Sequence, residues 1–262
     1  MGNQRIPAVL SIAGSDSGGG AGIQADLKAF ARCGVHGMTA LTAITAQNTV
    51  AVEAVEAVAP ETIVAQVRAV AGDIGVDAVK IGMLGTAATV DAVVEALALV
   101  GEAPVVIDPV MISESGAELL AESARAALVE RLLPLTTVAT PNIPEARALT
   151  GAGPEATQEE LVRGVVALGP RIAVVTGGHS EELVDLFFDG ERLVEIPGER
   201  HLEGAAHGSG CTHSSALAAF LALGADPLEA AREARAVASA AVGAGLRGIG
   251  AGPGPVNVLG LG

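Results

Sequence analysis

Residues 207–215 read His-Gly-Ser-Gly-Cys-Thr-His-Ser-Ser, and an alanine-rich run follows. Gly208, Ser209 and Gly210 stand directly before Cys211, which places a thiol on the first turn of a predicted helix. A helix N-terminus offers unpaired N–H groups and roughly half a positive charge. Glycines let that backbone come close against an anion. The same field favours a thiolate at Cys211. Such a group can take a proton from a hydroxyl while nearby amides hold the charge on a transferring phosphoryl group. The plainer alternative is a tight turn before a buried, inert cysteine. The turn is not a Walker A loop, because no Lys follows its glycines.

A second set of chemistry-bearing residues follows predicted strands. The loops are GSDSGGGAG (14–22), GMLG (82–85), DPVM (108–111), PNIPE (141–145) and TGGH (176–179). Each is shaped by glycine or proline, and several present a carboxylate, amide or hydroxyl. Ligands of open parallel sheets bind beyond the carboxyl ends of the strands, so these loops predict one shared site. Asp108 and Glu145, with Asn142 in an Asn-x-x-Glu pattern, suit a Mg²⁺ ion held through water and phosphate. Turn chemistry around Pro109, Pro141 and Pro144 is the competing explanation. The first loop is not a dinucleotide fingerprint, since it lacks a clear acidic ribose partner.

The elements that must position these loops are legible as alternating periods. Strands are predicted over 8–14, 37–45, 77–83, 104–110, 136–142 and 171–178. Helices are predicted over 21–34, 60–75, 89–101, 124–134 and 157–169. Asp189-Gly190 between two apolar runs predicts a small hairpin near residues 182–198. Beyond residue 206 the pattern returns to helices. Strands alternating with helices predict an α/β fold with a mostly parallel sheet covered on both faces. No linker or repeat interrupts the chain, so residues 1–262 are expected to form a single domain.

The 262 residues carry a net charge of −15, from 15 basic and 30 acidic residues, and half of them are apolar. That surface repels phosphate backbones and anionic lipid, which excludes nucleic acid and membrane as partners. Cys33 and Cys211 do not form a disulfide framework. The N-terminus reads as a strand rather than a signal peptide, and Pro7 argues against myristoylation. No stretch is apolar and long enough to span a bilayer. A cytoplasmic location is expected. Cys33, before Gly34, reads as core, and His36 and His201 as surface. His213, two residues beyond Cys211, could contact a nucleotide.

The segments SIAGSDSGGGAGIQADLKAF, TAQNT, KIGML, DPVM, TPNIPEA, GGH and HGSGCT fall in a familiar order and approximate spacing. They resemble the hydroxymethylpyrimidine/phosphomethylpyrimidine kinases of thiamin biosynthesis, members of the ribokinase-like superfamily. The resemblance implies a three-layer α/β/α fold. It implies ATP-dependent phosphorylation, with Mg²⁺, of 4-amino-5-hydroxymethyl-2-methylpyrimidine and then of its monophosphate. It casts Cys211 as catalytic base and Gly208, Ser209 and Gly210 as the anion hole, with Ser where Thr is usual. Gln47 would read the polar edge of the pyrimidine. Gly14, Ala21, Asp26, Met83 and Val110 would line the substrate pocket, although Asp26 could equally be a first-turn acid serving the helix dipole. Asn142, Glu145, Thr176 and Gly178 would face the nucleotide, with Asp108 and Glu145 toward the metal. Relatives are often dimers, which implies a homodimer.

Several positions depart from the family. Thr176 precedes Gly177-Gly178-His179 where many members have Lys. The flap after DPVM reads ISESG, with Glu114 where many have Lys. Ala205 and Ala206 stand where Asn-Thr is common. These losses leave fewer cations near the phosphates. Pyridoxal or pyridoxine kinase of the same fold is the alternative activity, although the flap lacks the second cysteine that some pyridoxal-phosphorylating relatives use. A non-catalytic sensor of the same ligand is the alternative of a different class.

Overall fold

The computed structural model describes residues 5–112, 116, 119–178, 183–202 and 204–262. Glu114 and His179 lie outside the described residues. In chain order the strands are β1 (Ala8–Ser15), β2 (His36–Gln47), β3 (Val52–Ala57), β4 (Ala78–Ile81), β5 (Val105–Ile107), β6 (Val138–Ala139), β7 (Ile172–Val175), β8 (Val184–Phe188) and β9 (Leu193–Pro197). The helices are α1 (Gly22–Cys33), α2 (Pro60–Asp73), α3 (Ala87–Leu97), α4 (Glu122–Ala127), α5 (Ile143–Thr150), α6 (Gln158–Ala167), α7 (Ser209–Ala222) and α8 (Pro227–Gly243).

The nine strands form one sheet in the order β3-β2-β1-β4-β5-β6-β7-β8-β9. Strands β2, β1, β4, β5, β6 and β7 run parallel. β3 pairs antiparallel at one edge, and β8 and β9 pair antiparallel at the other. The predicted hairpin is therefore real, and it extends the main sheet rather than standing apart from it. Its turn is held by Asp189, whose Oδ1 accepts from the backbone of Glu191 and Arg192.

Strand side chains alternate between two helical layers, as a period of two requires. Leu10, Ile12, Val79, Ile81 and Ile107 join the core with α2, α3 and α6, whereas Val9, Ala78 and Val106 join the core with α7 and α8. The result is the expected three-layer arrangement. Strand order reverses about β1, which sends the chain to β2 on one side and later receives β4 on the other. The crevice between the ends of β1 and β4 is thus a topological switch point, where ligands of such sheets bind.

Three elements differ from expectation. β3 is a short edge strand, exposed from Glu53 to Ala57, whose sequence lacks the buried alternation that marks a strand. α5 begins at the Pro-containing loop that the sequence suggested only as a turn. The helix expected over 124–134 is α4 followed by a wide turn over 128–132 and a tight one over 133–135 containing Pro134, whose ring cannot continue an α-helix. Among the described residues, no helix is long and apolar enough to cross a membrane.

Candidate active site

The loops after β1, β4, β5, β6 and β7 and the start of α7 converge on one cleft of about 400 Å³. Gly14, Ala21, Gln47, Met83, Val110, Asp108, Asn142, Glu145, Thr176, Gly178 and Gly208–Cys211 all line it. Asp26 does not. It sits on the second turn of α1, fully buried, and its Oδ1 lies 2.8 Å from Lys80 Nζ. Ser215 donates to the same oxygen at 2.7 Å, and Ser11 donates to Oδ2 at 2.6 Å. Asp26 is therefore neither a pocket wall nor a first-turn acid. It holds together β1, β4, α1 and α7 beneath the cleft floor.

Helix α7 opens as the sequence predicts. Gly208 is its N-cap in the left-handed region at φ 86°, a conformation glycine adopts without strain. Cys211 lies on the first turn, but the expected thiolate is not the resting form. Burial pushes the thiol up to about 12, with Asp26 and Asp108 adding to the effect and Lys80 opposing it. The helix terminus supplies at most about 2 kcal/mol to a charge placed there, which is less than desolvation withholds.

Lys80 also lines the cleft, and its ammonium is held charged. Burial works against the charge, but Asp26, Cys211 and Asp108 outweigh burial and raise the pKa. Sequence reasoning overlooked Lys80. Its signal is a lone lysine in the otherwise apolar β4, all four of whose residues are buried, set beside Ser11 of β1.

Asp108 and Glu145 face a different situation. Burial raises Asp108, Lys80 lowers it and Asp26 raises it again, leaving a net upward shift. Glu145 is pushed up to about 8 by burial and by Asp108, against hydrogen bonds from the Asn142 and Met111 backbone. Asn142 and Glu145 form a capping box for α5, with both reciprocal bonds at 2.9 Å. The turn explanation thus holds for Asn142, while Glu145 serves the cap and faces the cleft. Two neighbouring carboxyls that resist ionisation for want of a counter-charge form a corner that a bound cation would ionise and occupy. No group of three His, Cys, Asp or Glu residues among the described residues could hold a metal alone. The donor set fits Mg²⁺ completed by water and phosphate.

The remaining candidates sort as follows. Gln47 Oε1 accepts weakly from Thr45 Oγ1 at 3.5 Å, leaving its Nε2 open to the cleft. His213 is buried, with Nε2 3.9 Å from Asp185 Oδ2, and burial lowers its pKa more than Asp185 raises it. His201 is half-buried at the cleft wall, where it bonds Ser239 at 2.8 Å. Cys33 packs at the edge of the core, and burial pushes it up to about 11.

The family profile described as phosphomethylpyrimidine kinase matches residues 16–257. The chain belongs to the phosphomethylpyrimidine kinase family. A hydroxymethylpyrimidine/phosphomethylpyrimidine kinase from Rhizobium meliloti (strain 1021) is 50% identical, over 95% of this chain and 95% of that protein. A bifunctional thiamine biosynthesis protein from Geobacter sulfurreducens is 45% identical, over 97% of this chain and 54% of that protein. Among solved structures, pyridoxal kinase from Staphylococcus aureus in complex with AMP-PCP and pyridoxal superposes with a TM-score of 0.88. It is 31% identical, over 97% of this chain and 94% of that one. Phosphomethylpyrimidine kinases thus share this ribokinase-like fold with a vitamin kinase of different specificity.

Proposed function

We propose that this chain, acting as one kinase domain, transfers the γ-phosphoryl group of ATP to the hydroxymethyl oxygen of 4-amino-5-hydroxymethyl-2-methylpyrimidine. The monophosphate is then its second acceptor, in the service of thiamin biosynthesis in the cytoplasm. The observation that carries this reading is the convergence of the Gly208–Cys211 turn, the Asp108–Glu145 corner and Gln47 on one cleft in a chain of this family.

The γ-phosphate rests against the N–H groups of Gly208 and Gly210, where the α7 dipole favours negative charge, while the Ser209 N–H is donated to the Ala206 carbonyl at 2.9 Å and fixes the turn. Gln47 donates and accepts along the polar edge of the ring. Mg²⁺ would be held by Asp108 and Glu145 together with water and phosphate oxygens, where it would offset phosphate charge. The acceptor oxygen points at Cys211. Burial keeps Cys211 a protonated thiol at rest, so it acts as base only after giving its own proton to solvent, and the thiolate so formed then takes the proton of the acceptor oxygen as that oxygen bonds phosphorus. A loose phosphoryl-transfer transition state needs little help from a base, so positioning carries most of the rate. Cys211→Ala should lower turnover about 10²-fold, the low end for general-base loss. Unchanged turnover removes Cys211 from the mechanism. Incubation with pyrimidine, ATP and Mg²⁺, with products identified by mass, tests the reaction itself.

The second reading is a pyridoxal kinase, supported by the fold shared with the Staphylococcus aureus enzyme. The sequence MISESG offers no flap cysteine, so turnover on pyridoxal should be the slower of the two. A homodimer would cover the edge formed by β2 and β3, where Ile44 and Val55 are about half exposed.

A further inference from the structure

Two loops that flank the cleft are tied together by a pair the mechanism above does not use. Asp16 follows β1, and its carboxylate is buried. Oδ1 accepts from Gly18 N at 2.8 Å, and Oδ2 accepts from Gly20 N at 3.0 Å and Ala21 N at 2.8 Å. These bonds fold the glycine loop 14–22 around a single side chain. His207, the residue before the anion-hole turn, places its Nε2 3.2 Å from the same Oδ2. Burial opposes ionisation of Asp16, but the bonds from His207, Ala21 and Gly18 outweigh it and hold the carboxyl below its usual range. An ionised carboxylate only accepts, so His207 carries its proton on Nε2.

The packing around this pair is close. A side chain at Gly20 would run into the His207 ring, and one at Gly208 would run into the Gly20 carbonyl. His207 is anchored from behind, since its carbonyl accepts from Val256 N at 3.0 Å. Ala21 and Gly22 at the end of the first loop, and Gly208 to Cys211 after the histidine, line the same cleft. On the kinase reading, the spacing of these two loops governs how far the acceptor alcohol lies from the turn that receives the phosphate.

We propose that Asp16 and His207 are positioning residues that lock the substrate loop to the anion-hole turn and so set the alcohol-to-phosphorus distance. The inference rests on the kinase reading above. Asp16 and His207 both line the cleft, and their side-chain bonds go to each other and to the backbone of the glycine loop. Misplacement by a fraction of an ångström lowers kcat while leaving ground-state binding of each substrate largely intact.

The test is a double-mutant cycle on the full chain, with kcat and both KM values measured per folded molecule. His207→Leu should lower kcat about tenfold, with KM for ATP and for the pyrimidine alcohol within about twofold. His207→Gln keeps a donor and should recover most of that loss. Asp16→Asn should lower kcat at least as far as His207→Leu, and the double variant should be no slower than Asp16→Asn alone. Additive losses, or a His207→Gln variant no better than His207→Leu, would overturn the lock. If Asp16→Asn does not fold, the comparison of His207→Gln with His207→Leu decides by itself. A wild-type protein that phosphorylates the alcohol while the losses add sinks this inference alone. A wild-type protein that transfers no phosphate sinks the kinase reading and this inference together.

Discussion

Asp26 and Asp108 are both aspartates near the α7 N-terminus, and Lys80 acts on both, yet their surroundings oppose each other. Asp26 has a lysine at 2.8 Å and two serine hydroxyls, so its oxygens are satisfied inside the protein. Asp108 has one hydroxyl, Ser214 at 3.3 Å, a distant share of Lys80, and a neighbouring carboxyl, Glu145, that repels it. A buried carboxylate with its own cation is part of the scaffold. One without is a place where an incoming charge gains the most. The difference separates the part of the site that must stay still from the part that must accept a ligand.

The sharpest way to break this comparison is to remove the cation. Lys80→Met strands Asp26 in an apolar layer and should cost about 3–5 kcal/mol of stability, as removal of one partner of a buried pair does. Pairing it with Asp26→Leu should recover much of the loss, because no buried charge remains. Urea unfolding of the single and double variants measures both. A single variant as stable as the parent would mean that the Lys80–Asp26 pair does not hold the layers together.

Asp108→Asn should behave in the opposite way. The ligand-free protein should lose less than about 1 kcal/mol, since a strained buried charge disappears with the carboxylate. Turnover with ATP and Mg²⁺ should nevertheless fall about 10²-fold, the scale for one electrostatic group in such a site. Large destabilisation with intact specific activity would reverse the roles assigned to the two aspartates.

How much of this was legible in the sequence follows from the same contrast. The loops, the α7 start and the alternation of strands and helices rest on local signals, namely period, glycine and proline, and the structure places them as expected. Asp26 was misassigned because its sequence position, four residues past the glycine loop, says nothing about which way α1 turns it. Lys80 was passed over because a lone lysine in a strand gains meaning only when β4, α1 and α7 are brought together. The thiolate expected at Cys211 failed for a related reason. A helix terminus is visible in one dimension, whereas the burial that overrides it is a three-dimensional property. Asp16 and His207 are 191 residues apart, and no local pattern links them.

A subtler measurement uses pH. Glu145 titrates near 4.5 in the unfolded chain and at about 8 in the folded one. Between those values the folded state holds the extra proton, so the stability of the ligand-free protein should fall as pH rises through that window. Asp108 shifts in the same direction and adds to the slope. Glu145→Gln should flatten the slope while keeping the α5 cap, since Gln serves a capping box as well as Glu. Mg²⁺ with nucleotide should stabilise the parent more at pH 8 than at pH 6. Thermal unfolding across pH, with and without Mg²⁺ and AMP-PCP, measures this, and an unchanged slope in Glu145→Gln would place the raised acid elsewhere.

The smallest expected effect concerns Thr176, an uncharged residue of the proposed nucleotide side of the cleft. Thr176 lines the cleft with no charge of its own, and Arg235, which also lines it, does not supply one to a ligand. The Arg235 guanidinium lies 3.5 Å from Asp185 and donates to the Leu183 carbonyl at 3.0 Å, so it is committed to the scaffold in the same manner as Lys80. Thr176→Lys therefore adds a charge facing the phosphates rather than duplicating one. In a partly solvated cleft a new ammonium near a polyphosphate gains about 1 kcal/mol, which corresponds to a KM for ATP lowered about fivefold. The KM for the pyrimidine should not change, because the lysine would lie on the nucleotide side of the transferring phosphorus. If both KM values move together, the added charge acts on the cleft as a whole, and the division between scaffold cations and ligand-facing positions is less sharp than Asp26 and Asp108 indicate.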